Sequence, residues 1–74
     1  MVGRNQHVVI HDRGWAVTPE GAATPSAVFK TQGAAWEKAK SIARRERSEA
    51  VLHGKDGHIR ERSLYRADPR RSGE

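Results

Sequence analysis

Four histidines (His7, His11, His53, His58) and ten arginines carry most of the chemistry available to this 74-residue chain. An imidazole can relay a proton, share a hydrogen bond or ligate a metal, while the planar guanidinium fork suits phosphate and carboxylate. Cysteine is absent, which removes disulfides, thiolate metal sites and cysteine nucleophiles together. Ser26, Ser41, Ser48, Ser63 and Ser72 fall on loops, a polar helix face and the tail, and none sits in a nucleophile elbow. A paired-carboxylate mechanism needs two acids in a sheltered cleft, which so small a chain is not expected to enclose. Walker and dinucleotide glycine motifs are missing as well. No catalytic residue is assigned, no cofactor is expected, and the chain is not expected to be an enzyme.

Which of these groups can meet depends on the elements that carry them. His7-Val8-Val9-Ile10-His11 and Trp15-Ala16-Val17-Thr18 flank Asp12-Arg13-Gly14, the pattern of a β-hairpin. A loop over 11–14 sets Ile10 against Trp15 and Val8 against Val17. Four large apolar groups then share one face, with His7, Val9, His11, Ala16 and Thr18 on the other; a one-residue slip would mix Trp15 with histidines. Residues 19–31 form a connector with two prolines, at whose end Val28 and Phe29 are expected to tuck under a helix. That helix should start after the N-cap Thr31 and run to about Arg47, with Ala35, Ala39, Ile42 and Ala43 as its inward stripe. Trp36 lies at the edge of the stripe, and Lys40, Arg44 and Arg47 continue from it along one flank.

A second hairpin is expected from Ala50-Val51-Leu52-His53, Gly54-Lys55-Asp56-Gly57 and His58-Ile59-Arg60-Glu61-Arg62. A four-residue loop would set His53 against His58 and Leu52 against Ile59. Gly54-Lys55-Asp56-Gly57 superficially resembles a phosphate-clamping Gly-x-x-Gly loop, but that loop joins helices and this one joins strands, so it reads as a turn. Leu64 and Tyr65 are possible anchors. The expected domain is 7–65, with flexible termini at 1–6 and 66–74.

The resulting order is strand, strand, helix, strand, strand. It predicts an α+β domain in which one helix covers one face of a four-stranded antiparallel sheet. The open face would collect all four histidines with Arg60 and Arg62, and Val9 and Val51 between them. His53 and His58 face to face would form a polar cross-strand pair. His7 and His11, about 13 Å apart along one strand, are too far apart to chelate one ion together. No metal site is therefore assigned.

These residues also resemble a known family. His7-Val8-Val9, Gly14-Trp15-Ala16-Val17, Thr31 with its alanine-rich helix, and His53-Gly54-Lys55-Asp56-Gly57-x-Ile59-Arg60-Glu61 are similar to the bacterial and archaeal family known as domain of unknown function 2188. The likeness spans roughly residues 7–69, and the His-Gly-x-Asp-Gly turn is its most specific part. The resemblance implies a short stand-alone protein of this architecture and brings no catalytic residue with it. Gly33-Ala34 stands where many members carry a capping-box acid.

Charge and core size supply the remaining expectations. Fourteen cations against nine acids give a net charge of +5, which suits a polyanion. The candidate contacts to a DNA or RNA backbone are Lys40, Arg44, Arg47, Arg60, Arg62, Arg70 and Arg71. Ten of the 26 hydrophobic residues are alanine, so the core is thin and burial by a second copy would help it. Self-association as a dimer is the leading expectation, through an edge strand or through His7, Val9, His11, Val51, His53 and His58. Nucleic-acid binding is the alternative. With no apolar run of membrane-spanning length and no signal-like N-terminus, a cytoplasmic protein that does not enter membranes is expected.

Overall fold

A computed structural model describes residues 3–65. β1 (Gln6–His11) and β2 (Gly14–Pro19) form the expected hairpin, with Val8 opposite Val17 and Ile10 opposite Trp15. The turn is tighter than expected: His11 pairs with Gly14, leaving only Asp12 and Arg13 between the strands. Gly14 has φ 132°, a conformation that L side chains rarely adopt, and a Cβ there would run into the Phe29 carbonyl oxygen.

That close approach exists because the connector returns to the sheet. Ala27–Phe29 forms a short β3, antiparallel to β2, with Trp15 opposite Phe29 and Ala16 opposite Val28. Thr31 then caps α1 (Gln32–Glu46), its hydroxyl accepting the Ala34 N–H at 3.2 Å. Arg47 ends the helix in the left-handed region, φ 57°, with its N–H on the Ala43 carbonyl. β4 (Glu49–His53) and β5 (Ile59–Leu64) complete a sheet of order β3-β2-β1-β4-β5.

The sheet therefore has five strands and is mixed, where four antiparallel strands were expected. β1 and β4 run parallel at its centre, with His7 beside Val51 and Val8 beside Leu52. One short strand accounts for both differences. Chain direction reverses at every antiparallel turn, so adding β3 reverses the helix and β4 after it. β3 and β4 then point the same way, and α1 is the crossover that such parallel strands require. Three residues are too few for a sequence pattern to register as a strand.

The helix face of the sheet holds the core. Val8, Trp15, Val17, Ala50 and Leu52 pack against Ala35, Trp36, Ala39 and Ala43, with Phe29, Ile42 and Tyr65 at the margin. All three helix alanines are fully buried, and their small side chains let α1 lie close to the strands. Ile10 has the expected partner but, one pair in from the turn, remains 45% exposed.

In the second hairpin the register departs from expectation. Leu52 pairs with Glu61 and His53 with Ile59, a shift that passes over Arg60. The Gly54 N–H closes the turn on the His58 carbonyl, and Asp56 accepts both the backbone N–H and the ring Nδ1 of His58. His58 is thus drawn into the turn instead of facing His53, and Ile59 becomes the first strand residue, 48% exposed.

Candidate functional site

With α1 on one side only, the alternation of the strands gives the other face its own set of side chains. Val28, Ala16 and Val9 form a cross-strand row over β3, β2 and β1. Beside it runs a second row of Thr18, His7, Val51 and Arg62. Ala16 and Val51 are 1% and 3% exposed yet lie outside the helix-side core cluster, so this face has a small apolar centre of its own. Arg62 reaches Glu49 at 3.8 Å on the β5 side.

The polar part of the face is a chain of hydrogen bonds. His7 Nδ1 lies 3.0 Å from His53 Nε2, and His7 Nε2 lies 3.0 Å from Glu20 Oε1. His53 Nδ1 makes a longer contact, 3.4 Å, to the Gly57 carbonyl. The parallel pairing of β1 with β4 creates this contact by placing His7 one step from His53 across the ladder. The rings tilt 32° to each other with centroids 5.2 Å apart. Two facing ring nitrogens form a hydrogen bond only when one carries a proton and the other does not. Hydrogen bonding from His7, and secondarily from Asn5, holds the Glu20 carboxyl below its ordinary value.

His7, Val9, Val51 and His53 thus come together as expected. His11 keeps the face's parity but sits at the turn, where its Nδ1 accepts the Arg13 N–H at 3.1 Å. His58 leaves the face and, with a side chain 88% exposed, is paired with Asp56. Val28, expected under the helix with Phe29, lies instead on the free face beside Ala16, and Glu20 was not anticipated; both belong to the site. Val28 would have been found only by reading Ala27-Val28-Phe29 as a strand, and nothing in the local pattern marks Glu20 as a partner of His7.

The candidate nucleic-acid contacts are divided among separate surfaces. Lys40 lies 5.4 Å from the Trp36 ring centroid and pairs with Glu37 at 3.1 Å. Arg44 lies over the Tyr65 ring at 5.5 Å, and Arg47 is the helix cap. Arg60 was expected on the free face; the register shift turns it toward the helix, where its Nη1 donates to Gln32 Oε1 at 3.0 Å. Arg62 keeps the free face, whereas Arg70 and Arg71 fall outside the described residues. An open cleft of about 600 Å³ at the β4–β5 turn, lined in part by Trp15, Gln32 and Arg60, was not anticipated. Among the described residues no three His, Asp or Glu side chains are grouped to hold a metal ion. No helix there is long and apolar enough to cross a membrane.

Comparison with known proteins finds one relative and one family, both described as uncharacterized. The chain is 37% identical over 59 residues to the uncharacterized protein YdaT of Bacillus subtilis (strain 168). That match takes in 80% of this chain and 39% of the relative, so the chain spans well under half the length of the curated protein it matches. No solved structure matches. The family model described as "Uncharacterized protein conserved in bacteria (DUF2188)" covers residues 6–65, the whole of the sheet and helix, and the chain belongs to that family.

Proposed function

We propose that this protein is a small non-enzymatic interaction module that self-associates through the free face of its sheet. The observation that supports this reading is the exposed Val28 and half-buried Val9, set around the buried Ala16 and Val51, on a face that carries no helix among the described residues. The sheet edges suit the role less well. β3 is three residues long. In β5, antiparallel pairing of two copies centred on Glu61 would set Glu61 against itself and Arg60 against Arg62, like charges that oppose edge-to-edge docking.

Size sets the expected strength. Four strands of five or six residues and the three-residue β3 make a face of roughly 20 by 20 Å, or about 400 Å² in projection. Stable complexes bury about 800 Å² per partner, so a weak, concentration-dependent dimer is expected. Sedimentation velocity from about 5 μM to 1 mM tests this. The parent chain should shift from monomer to dimer within that range. Val9→Lys and Val28→Lys should remain monomeric, while Lys38→Ala on the helix side should behave like the parent. A parent that is monomeric throughout, or a Val9→Lys variant that dimerises normally, would overturn the reading.

The alternative, contact with a nucleic-acid backbone, draws on the exposed Arg44, Arg45 and Arg47 near the end of α1. It is the weaker reading, since the candidate cations lie on separate surfaces and Lys40 and Arg62 already pair with Glu37 and Glu49. Binding to a DNA or RNA duplex that weakens steeply between 50 and 200 mM salt would support it. Absence of binding at the lower salt would dismiss it.

A further inference from the structure

The cleft at the β4–β5 turn is lined by side chains other than those of the His7–His53 contact and has a different chemistry. Arg60 is set in it by a relay: Gln32 Nε2 donates to the His53 carbonyl at 3.3 Å, and Gln32 Oε1 accepts from Arg60 Nη1 at 3.0 Å. Only one of the five guanidinium N–H groups is committed to that relay. Gly54 makes the arrangement possible. A Cβ at this buried glycine would stand 3.2 Å from Arg60 Cδ and 3.1 Å from Asp56 Oδ1, so the arginine stem lies close against the turn.

The other lining groups leave the cleft cationic. Lys55 adds a second positive charge. Asp56 is the one acid in the lining; its oxygens lie 3.0 Å from the His58 backbone nitrogen and 3.1 Å from the ring Nδ1, which orients the carboxylate but leaves its charge, so two cations face one anion. Trp15, 9% exposed, supplies an apolar wall. The volume of about 600 Å³ lies within the range of small-molecule pockets, roughly 300–1,000 Å³, and not that of an extended groove.

The geometry points to a binding site for a small phosphate monoester, its phosphoryl group on Arg60 and Lys55 and its organic body against Trp15. Two cations suit a doubly charged phosphate better than a carboxylate, and a planar fork held by a neighbour loses little freedom on binding. The site is independent of self-association through the opposite face.

The test is a ¹H–¹⁵N NMR titration of the full chain at low salt and pH 7.5, with adenosine monophosphate, adenosine and inorganic phosphate as probes. Adenosine monophosphate should move the Gly54, Gly57 and Trp15 indole resonances saturably below about 10 mM, and bind at least about fivefold more tightly than either part alone. Arg60→Gln should weaken it about tenfold or more, and Gln32→Ala should weaken it by a smaller factor through loss of the tether. The unperturbed resonances of the second half of α1 verify that each variant is folded. No saturable shift, equal affinity for inorganic phosphate and the nucleotide, or an Arg60→Gln variant that binds like the parent would each overturn the assignment.

Discussion

The contact between His7 and His53 can be separated from the pairing that the sequence suggested, His53 with His58, by two double-mutant cycles. His7→Ala and His53→Ala each remove one end of a 3.0 Å hydrogen bond on a half-buried face. A neutral hydrogen bond contributes about 0.5–1.5 kcal/mol net, and contacting residues show coupling of about 0.5–3 kcal/mol. A coupling near 1 kcal/mol is expected for His7 with His53, because the second truncation removes a bond already broken by the first. For a domain this small, 1 kcal/mol corresponds to about 4–8 °C in Tm, well within the precision of thermal or urea unfolding at pH 7.5. His53→Ala with His58→Ala should be additive within about 0.3–0.5 kcal/mol, since the His58 ring Nδ1 bonds Asp56 and its side chain is 88% exposed. Additive behaviour of His7 with His53, or equal coupling in the two cycles, would refute both the parallel β1–β4 register and the site built upon it.

Other perturbations examine the elements around that site. Arg47→Gly should stabilise the fold by up to about 1 kcal/mol in urea denaturation, because Arg47 holds φ 57° at the helix end and glycine adopts that conformation without strain. Gly14→Ala should destabilise by about 2 kcal/mol or more, since the new methyl would meet the Phe29 carbonyl and the φ of 132° disfavours any side chain; an unchanged unfolding midpoint would argue against the β2–β3 pairing. The Glu20 carboxyl carbon should titrate below the ordinary glutamate range by NMR and return toward it in His7→Gln. A lowered folded value means that the His7–Glu20 contact contributes above the ordinary glutamate pKa of about 4.3 and is lost as pH falls through the lowered value. Glu20→Gln should therefore be the less stable chain at pH 7 and equal to the parent at the acid end.

Local pattern by itself determined a good deal of this protein. Alternation in residues 7–18 fixed the first register, because only that pairing gathers Val8, Trp15 and Val17 on one face. Thr31 and the spacing of Ala35, Ala39 and Ala43 fixed the helix and the face it buries. Such features depend on neighbours in the chain, whose side chains sort by period 2 or 3.6 whatever lies beyond them. Tertiary structure decided the rest. Ala27–Phe29 becomes a strand only because the β2 edge is there to receive it, and this added strand turns β4 parallel to β1. The His7–His53 contact joins residues 46 apart, and its existence depends on that polarity. Arg60 faces Gln32 because the Gly54–His58 turn shifts the register beyond it. Strand direction and turn closure depend on the whole chain, so they settled which histidines meet and where the arginines point.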